Sequence, residues 1–299
     1  MQTRKISLAT GLTYHIYEWA PDGPDGPDGP DGPDGHDAPG DLTFVLIHGF
    51  SDLGYTWSEV AERLAPHGHV IAPDMRGHGD SDWIGAGGYY HYMDYVADLD
   101  DVIAQLARPR VVLVGHSMGC SISSYYAGTR PERITALALF EGLGPQDGSS
   151  ADGPARTARW IEAWRNARKD RPVMPSLDEA VRRLRRNDPR LGEARARELA
   201  QLGTRPVEGG LAWKHDPLHL THGPYTFRVE TAIRYWQRIT CPVVIVDAAD
   251  SQLTLPADER ERRRAHFANH RHVVVPDAGH MIPRHQPARV AELILELVG

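Results

Sequence analysis

Gly115-His116-Ser117-Met118-Gly119 fits the pattern G-x-S-x-G, set between the apolar run RVVLV and a helix-like segment that runs from Cys120 to about Thr129. A serine on a sharp strand-to-helix turn is placed to act as a nucleophile. Flanking glycines remove side chains that would clash, and the hydroxyl is held out at the helix N-terminus. Such a serine needs a base to take its proton. His280 meets that need, because it follows the strand-like run HVVVPDAG near the C-terminus and completes the chain order serine, acid, histidine. His285, five residues on, is its competitor. The oxyanion that forms on attack needs two backbone amides. His48-Gly49-Phe50 closes the first long core strand and offers the amide of Phe50, while Met118, just after the nucleophile, offers the second. These residues together imply acyl transfer.

The acid is less obvious. CPVVIVDAADSQLT, from Cys241 to Thr254, reads as a buried strand delivering a carboxylate, with Asp250 the first candidate. Asp74-Met75-Arg76-Gly77-His78-Gly79 also carries catalytic residue types, but a Gly-rich turn at a strand end commonly uses Asp and Arg to tie its loop, and that structural role is the expectation here.

The elements that must position these groups alternate. LTFVLIHGF, HVIAPDMRG, RVVLVGHSMG and ITALALFEGLGP are strand-like, and the helical patterns TWSEVAERLA and YMDYVADLDDVIAQLA fall between them. Short apolar runs separated by helices imply a parallel sheet covered on both faces. From about Pro145 to Trp236 the pattern is helical and Arg-rich, with a capping-box signature at Ser176 to Glu179. Alternation resumes with VVIVDAAD, LPADERERRRAHFA, HVVVPDAGH and PARVAELILELVG. The organisation expected is therefore a core from 1–144 and 236–299 with an all-helical cap, 145–235, over the C-terminal ends of the strands. Five tandem PDG copies, Pro21 to Gly35, lie in a low-complexity stretch (21–40) with no apolar side chain to bury; they read as a solvated surface loop and lack the ligand spacing of a calcium site.

Composition bounds the partners. With 33 basic against 40 acidic residues the formal charge is −7, and no basic stripe is present, so nucleic acid is not an expected partner. No apolar run is long enough to span a bilayer and the first twenty residues lack a signal-peptide core, so a soluble, cytoplasmic protein is expected. The two cysteines, Cys120 and Cys241, imply no disulfide framework and no metal site.

The motifs HGF, DMRGHGDS, GHSMG, CPVVIV and DAGHMIP together resemble the α/β-hydrolase superfamily, over roughly Gln2 to Gly144 and Tyr235 to Gly299. The resemblance implies an α/β-hydrolase fold, a mostly parallel doubly wound sheet with an inserted helical cap, and Ser117 as nucleophile, His280 as base and the Phe50 and Met118 amides as oxyanion hole. In the usual family pattern the acid stands nine residues after the proline that opens the later strand. Counted from Pro242 that position is Ser251, and Asp250 falls one short. Serine hydrolase-like proteins and haloalkane dehalogenases include members with the acid at the end of the strand after the nucleophile, where this chain has Glu141. A charge at the end of an apolar strand needs pairing, which His280 would supply. Glu141 is therefore favoured over Asp250. Dehalogenases use an Asp nucleophile, so dehalogenase and epoxide-hydrolase activities are disfavoured by Ser117.

The reading that results is a cofactor-independent serine hydrolase of carboxylic esters, with lactones and thioesters included. A C–C bond hydrolase or perhydrolase with the same triad, and a catalytically idle ligand-binding scaffold, are the alternatives. Trp160, Trp164, Trp213, Tyr225, Phe227 and Trp236 are the candidate pocket residues for a partly apolar small-molecule substrate.

Overall fold

The computed structural model describes residues 1–20, 41–148, 152–167, 169, 172–253 and 255–299, and the PDG tract lies outside the described residues. The first part of the core runs β1 (Gln2–Ser7), β2 (Thr13–Trp19), β3 (Leu42–Ile47), α1 (Ser58–Leu64), β4 (His69–Pro73), α2 (Tyr92–Leu106), β5 (Arg110–His116), α3 (Met118–Thr129) and β6 (Ala136–Phe140). An insertion follows with α4 (Gly153–Asn166), α5 (Leu177–Asn187), α6 (Glu193–Gly203), β7 (Thr204–Val207), β8 (Gly210–Trp213) and α7 (Val229–Trp236). The chain closes with β9 (Val243–Ala248), α8 (Ala257–Arg264), β10 (His270–Val275), α9 (Ile282–His285) and α10 (Pro287–Leu295).

Eight strands make one sheet in the order β1-β2-β4-β3-β5-β6-β9-β10, parallel except for the two antiparallel pairings of β2 with β1 and β4. The central strands β3 and β6 are buried at every position because both faces are covered. Successive side chains point to opposite faces. Phe44, Leu46, Val112 and Val114 pack with Trp57, Leu64, Leu293 and Ile294 on the side of α1 and α10. Val45, Ile47, Leu113 and Leu139 pack with Leu99, Ile103, Ile122 and Tyr126 on the side of α2 and α3. Truncating one of these leucines to alanine should cost about 2–5 kcal/mol, since the lost burial is joined by a cavity.

Two features of the insertion differ from the sequence expectation. It is not all helical: β7 and β8 form an antiparallel hairpin, turning at Glu208-Gly209 with Gly209 at φ 82° and Gly210 at φ 148°. Glycine alone adopts such angles without strain, and the Gly-Gly pair between short β-branched and apolar runs was the available signal. Second, α7 is packed into the main core rather than the cap, with Val229, Ala232 and Trp236 buried among core side chains. Helices α5 and α6 carry their own small core of Met174, Ala180, Val181, Leu191, Leu199 and Ala200. Half of the capping box expected at α5 is present, Ser176 Oγ accepting from the Glu179 amide at 3.4 Å, while the Glu179 carboxylate pairs with Arg182 and Arg183.

Candidate active site

Sheet register brings the nucleophile and acid candidates together. His116 pairs with Phe140, and Phe140 pairs with Val246, so Ser117 and Glu141 are each the first residue beyond a matched strand end. The ladder continues one bond further on each: the Ser117 amide donates to Phe140 O at 3.0 Å and the Glu141 amide to Val246 O at 2.8 Å. At the turn Ser117 adopts φ 52°, ψ −115°. Close packing explains the glycines around it. A Cβ on Gly119 would lie 2.3 Å from Ile47 O, and one on Gly115 would lie 2.5 Å from Gly119 O.

His280, on the loop after β10, bridges the two strand ends. Its Nε2 is 3.0 Å from Ser117 Oγ and its Nδ1 is 3.1 Å from Glu141 Oε2. The other Glu141 oxygen accepts the Ala248 amide at 2.6 Å. Burial alone would raise the Glu141 carboxyl; hydrogen bonds from His280, the Ala248 amide and the Ser251 side chain outweigh it and hold the group below the usual carboxylate range. Ser251, at the family's usual acid position, thus supports the carboxylate supplied by the neighbouring strand. Asp250 points elsewhere. Its carboxylate is exposed and pairs with Arg190 of the insertion at 2.7 Å. His285 is likewise turned away, its Nε2 2.8 Å from Asp188 and its Nδ1 accepting the Gly279 amide at 3.0 Å.

The oxyanion candidates lie against the same turn. A Cβ on Gly49 would come within 3.2 Å of Ser117 Cβ, so the 49–50 backbone passes directly over the serine. His48 fixes that peptide: its Nδ1–H donates to Gly49 O at 2.7 Å, while Nε2 accepts the Met75 amide at 2.9 Å. In a trans peptide this also fixes the direction of the Phe50 N–H. Met118 opens α3, where the first amides have no intrahelical acceptor. His116 Nε2 meets His280 O at 2.7 Å. Arg263 is buried beneath the loop beyond Glu141 and donates to the carbonyls of Leu143, Gly144 and Pro145 at 2.8, 3.1 and 2.8 Å. Neither His116 nor Arg263 was marked by the sequence, since their roles run through backbone atoms that carry no residue signature.

Among the described residues, the non-glycine residues at positive φ are Ser51, Ser117, Glu141 and Asp277. All four belong to the loops that carry the candidate site groups: Ser51 follows Phe50, and Asp277 precedes His280 by three residues. Asp74 and Arg76, by contrast, serve loop architecture. Asp74 accepts the Gly54 and Asp80 amides at 2.7 and 2.9 Å and pairs with His15, while Arg76 donates to Asp98 at 2.6 Å. His15, Asp74 and Asp80 are the trio with metal-ligating atoms near one another among the described residues, but Asp74 already accepts those amides and Asp80 pairs with Lys214 at 2.6 Å.

A cavity of about 730 Å³ opens above Ser117 and His280, walled by Phe50, Tyr92, Tyr125, Tyr225 and Phe227 among others. Of the six aromatic residues expected in the pocket, Tyr225 and Phe227 line it. The other four do not. Trp236 is buried in the core, its Nε1 on Ser124 and its ring stacked on Phe267. Trp213 packs against the small core of the insertion, and Trp160 and Trp164 stack on each other along α4, with Trp160 edge-on to Tyr89 of the wall. In each case helix or hairpin packing accounts for the ring.

The family model described as the alpha/beta hydrolase fold matches residues 43–283. The chain belongs to this family. Epoxide hydrolase 3 of Siraitia grosvenorii is 39% identical to this chain over 94 residues, 31% of its length, and the match spans only 30% of that relative's length. A serine hydrolase-like protein of Danio rerio is 24% identical over 263 residues, 84% of this chain and 80% of the relative. Among solved structures, the thioesterase domain from the curacin biosynthetic pathway superposes with a TM-score of 0.81 at 26% identity, covering 99% of both chains. The fold, too, is that of the α/β-hydrolase superfamily. No described helix is long and apolar enough to cross a membrane.

Proposed function

We propose that this hydrolase cleaves carboxylic esters, lactones and thioesters included, through an acyl-enzyme on Ser117. The observation that carries the reading is the placement of His280, 3.0 Å from Ser117 Oγ on one side and 3.1 Å from Glu141 on the other. With Nδ1–H donating to Glu141, the Nε2 lone pair faces the serine. His280 takes the Ser117 proton as Oγ attacks the acyl carbon, and the oxyanion is held by the Phe50 and Met118 amides. The imidazolium then gives its proton to the leaving alkoxide or thiolate, and a water activated by the same nitrogen releases the acid. Glu141 remains ionised throughout and stabilises the imidazolium.

Likeness to the thioesterase domain supports acyl transfer at this site. The partial likeness to an epoxide hydrolase does not extend the reading to epoxides, because serine attack on an epoxide carbon would leave an ether that a second water attack does not readily cleave. An acyl-serine ester can be hydrolysed. Labelling by a fluorophosphonate probe, located to Ser117 by peptide mass, together with turnover of short p-nitrophenyl esters, tests the reading. An unlabelled, inactive folded protein would sink it. A small-molecule substrate and a cytoplasmic location are part of the same proposal.

A further inference from the structure

The charges facing the cavity are unequal. Among the described residues that line it, Glu141 is the one carboxylate, and it is already engaged by His280 and the Ala248 amide. Two guanidinium groups from the insertion line it as well, Arg156 on α4 and Arg228 just before α7. Arg228 lies near acids, 3.7 Å from Asp147 and 3.6 Å from Glu230. Arg156 does not: its Nε donates to the carbonyl of Gly223 at 2.7 Å, and among the described residues no carboxylate pairs with it. That bond fixes the plane of the guanidinium, and among the described residues no acceptor is recorded for its terminal N–H groups. A half-buried cation on an aromatic wall is costly unless it is paired, and a planar guanidinium suits a carboxylate with two parallel hydrogen bonds.

We propose that Arg156 is an anion subsite, and that the substrate is an ester bearing a free carboxylate away from its scissile carbonyl. The inference rests on the acyl-transfer reading of Ser117. Aromatic walls accept the hydrocarbon between the two ends, and Arg156 fixes which esters are held long enough to react. Arg156 touches no atom of the reacting centre, so its effect is on binding.

The test compares monophenyl adipate and suberate with phenyl hexanoate and octanoate, and adds 4-carboxyphenyl hexanoate to place the charge on the leaving group instead. The wild-type enzyme should prefer at least one carboxylate ester over its neutral counterpart by about tenfold or more in kcat/KM, and the arm that responds says which half of the substrate carries the charge. Arg156→Gln should remove that preference, mostly through KM, and leave neutral esters unchanged; Arg156→Lys should retain part of it. The same KM should rise with added salt. No preference in the wild type, or equal losses on neutral and acidic esters in Arg156→Gln, overturns the subsite while leaving the acyl-enzyme reading standing. Failure of Ser117 to label, with no ester turned over, removes both.

Discussion

His116 holds the backbone of His280: its Nε2–H donates to the His280 carbonyl at 2.7 Å, from a ring that is itself buried. The donor nitrogen is settled by that bond, and Nδ1 is left bare, without a partner among the described residues. Burial, helped by the nearby His280, pushes the His116 pKa down to about 4, so the ring stays neutral and keeps its geometry wherever the enzyme would work.

This relationship predicts a graded response. His116→Ala should lower kcat about tenfold or more with KM little changed, because the His280 loop loses its tether while the cavity is intact. His116→Gln, whose amide nitrogen reaches nearly as far as Nε2, should recover most of the rate. Equal activity of both variants with the wild type would remove His116 from the positioning of His280.

Ser117→Ala should abolish ester turnover and probe labelling while leaving the fold intact, since triad loss typically costs several orders of magnitude in rate. Circular dichroism and a melting curve, recorded beside the kinetics, separate lost chemistry from lost structure.

Glu141→Gln should cost roughly 10³–10⁴ in kcat, because the amide keeps the shape but loses the charge that stabilises the His280 imidazolium. Asp250→Asn should cost less than about tenfold, its carboxylate being committed to Arg190. The comparison is decided by the ranking: a larger loss at Asp250 would return the acid to the later strand.

Acid should destabilise the fold through its buried histidines. His78 and His116 are held neutral by burial, with pKa values below the ordinary histidine range. A depressed folded pKa means that the unfolded chain binds more protons, so stability is full above about pH 6.5 and falls as pH drops towards 4. Each such group contributes a slope of up to about 1.4 kcal/mol per pH unit. Denaturant titrations between pH 7 and 5 should show this decline, and His116→Gln should flatten it.

What the sequence could reveal follows from where the information resides. Buried parallel strands such as LTFVLI and ALALF announce themselves as apolar runs, and GHSMG between strand and helix marks its own turn. β1 was not legible, because QTRKIS is an exposed edge strand almost without an apolar face. Cap aromatics were misplaced for a similar reason: a tryptophan suits a helix interface and a pocket wall equally well, and only three-dimensional packing sends Trp236 inward and leaves Phe227 on the cavity. Glu141 and its pairing with His280 were expected through the family resemblance, while the register that sets them side by side is seen only in the sheet, and Arg156 carried no motif at all.

The left-handed turns at Ser51, Ser117, Glu141 and Asp277 also set activity against stability. Side-chain-bearing residues held in such sparsely populated conformations typically cost about 1–3 kcal/mol each, and the surrounding sheet must supply it. Glycine adopts the Ser117 conformation freely, whereas alanine retains the conflict. Ser117→Gly and Ser117→Ala should therefore be equally dead as enzymes, yet the glycine variant should melt a few degrees higher. Directed selection for heat resistance alone would then tend to erode the elbow, so a thermostable variant of this hydrolase has to be sought under simultaneous selection for turnover.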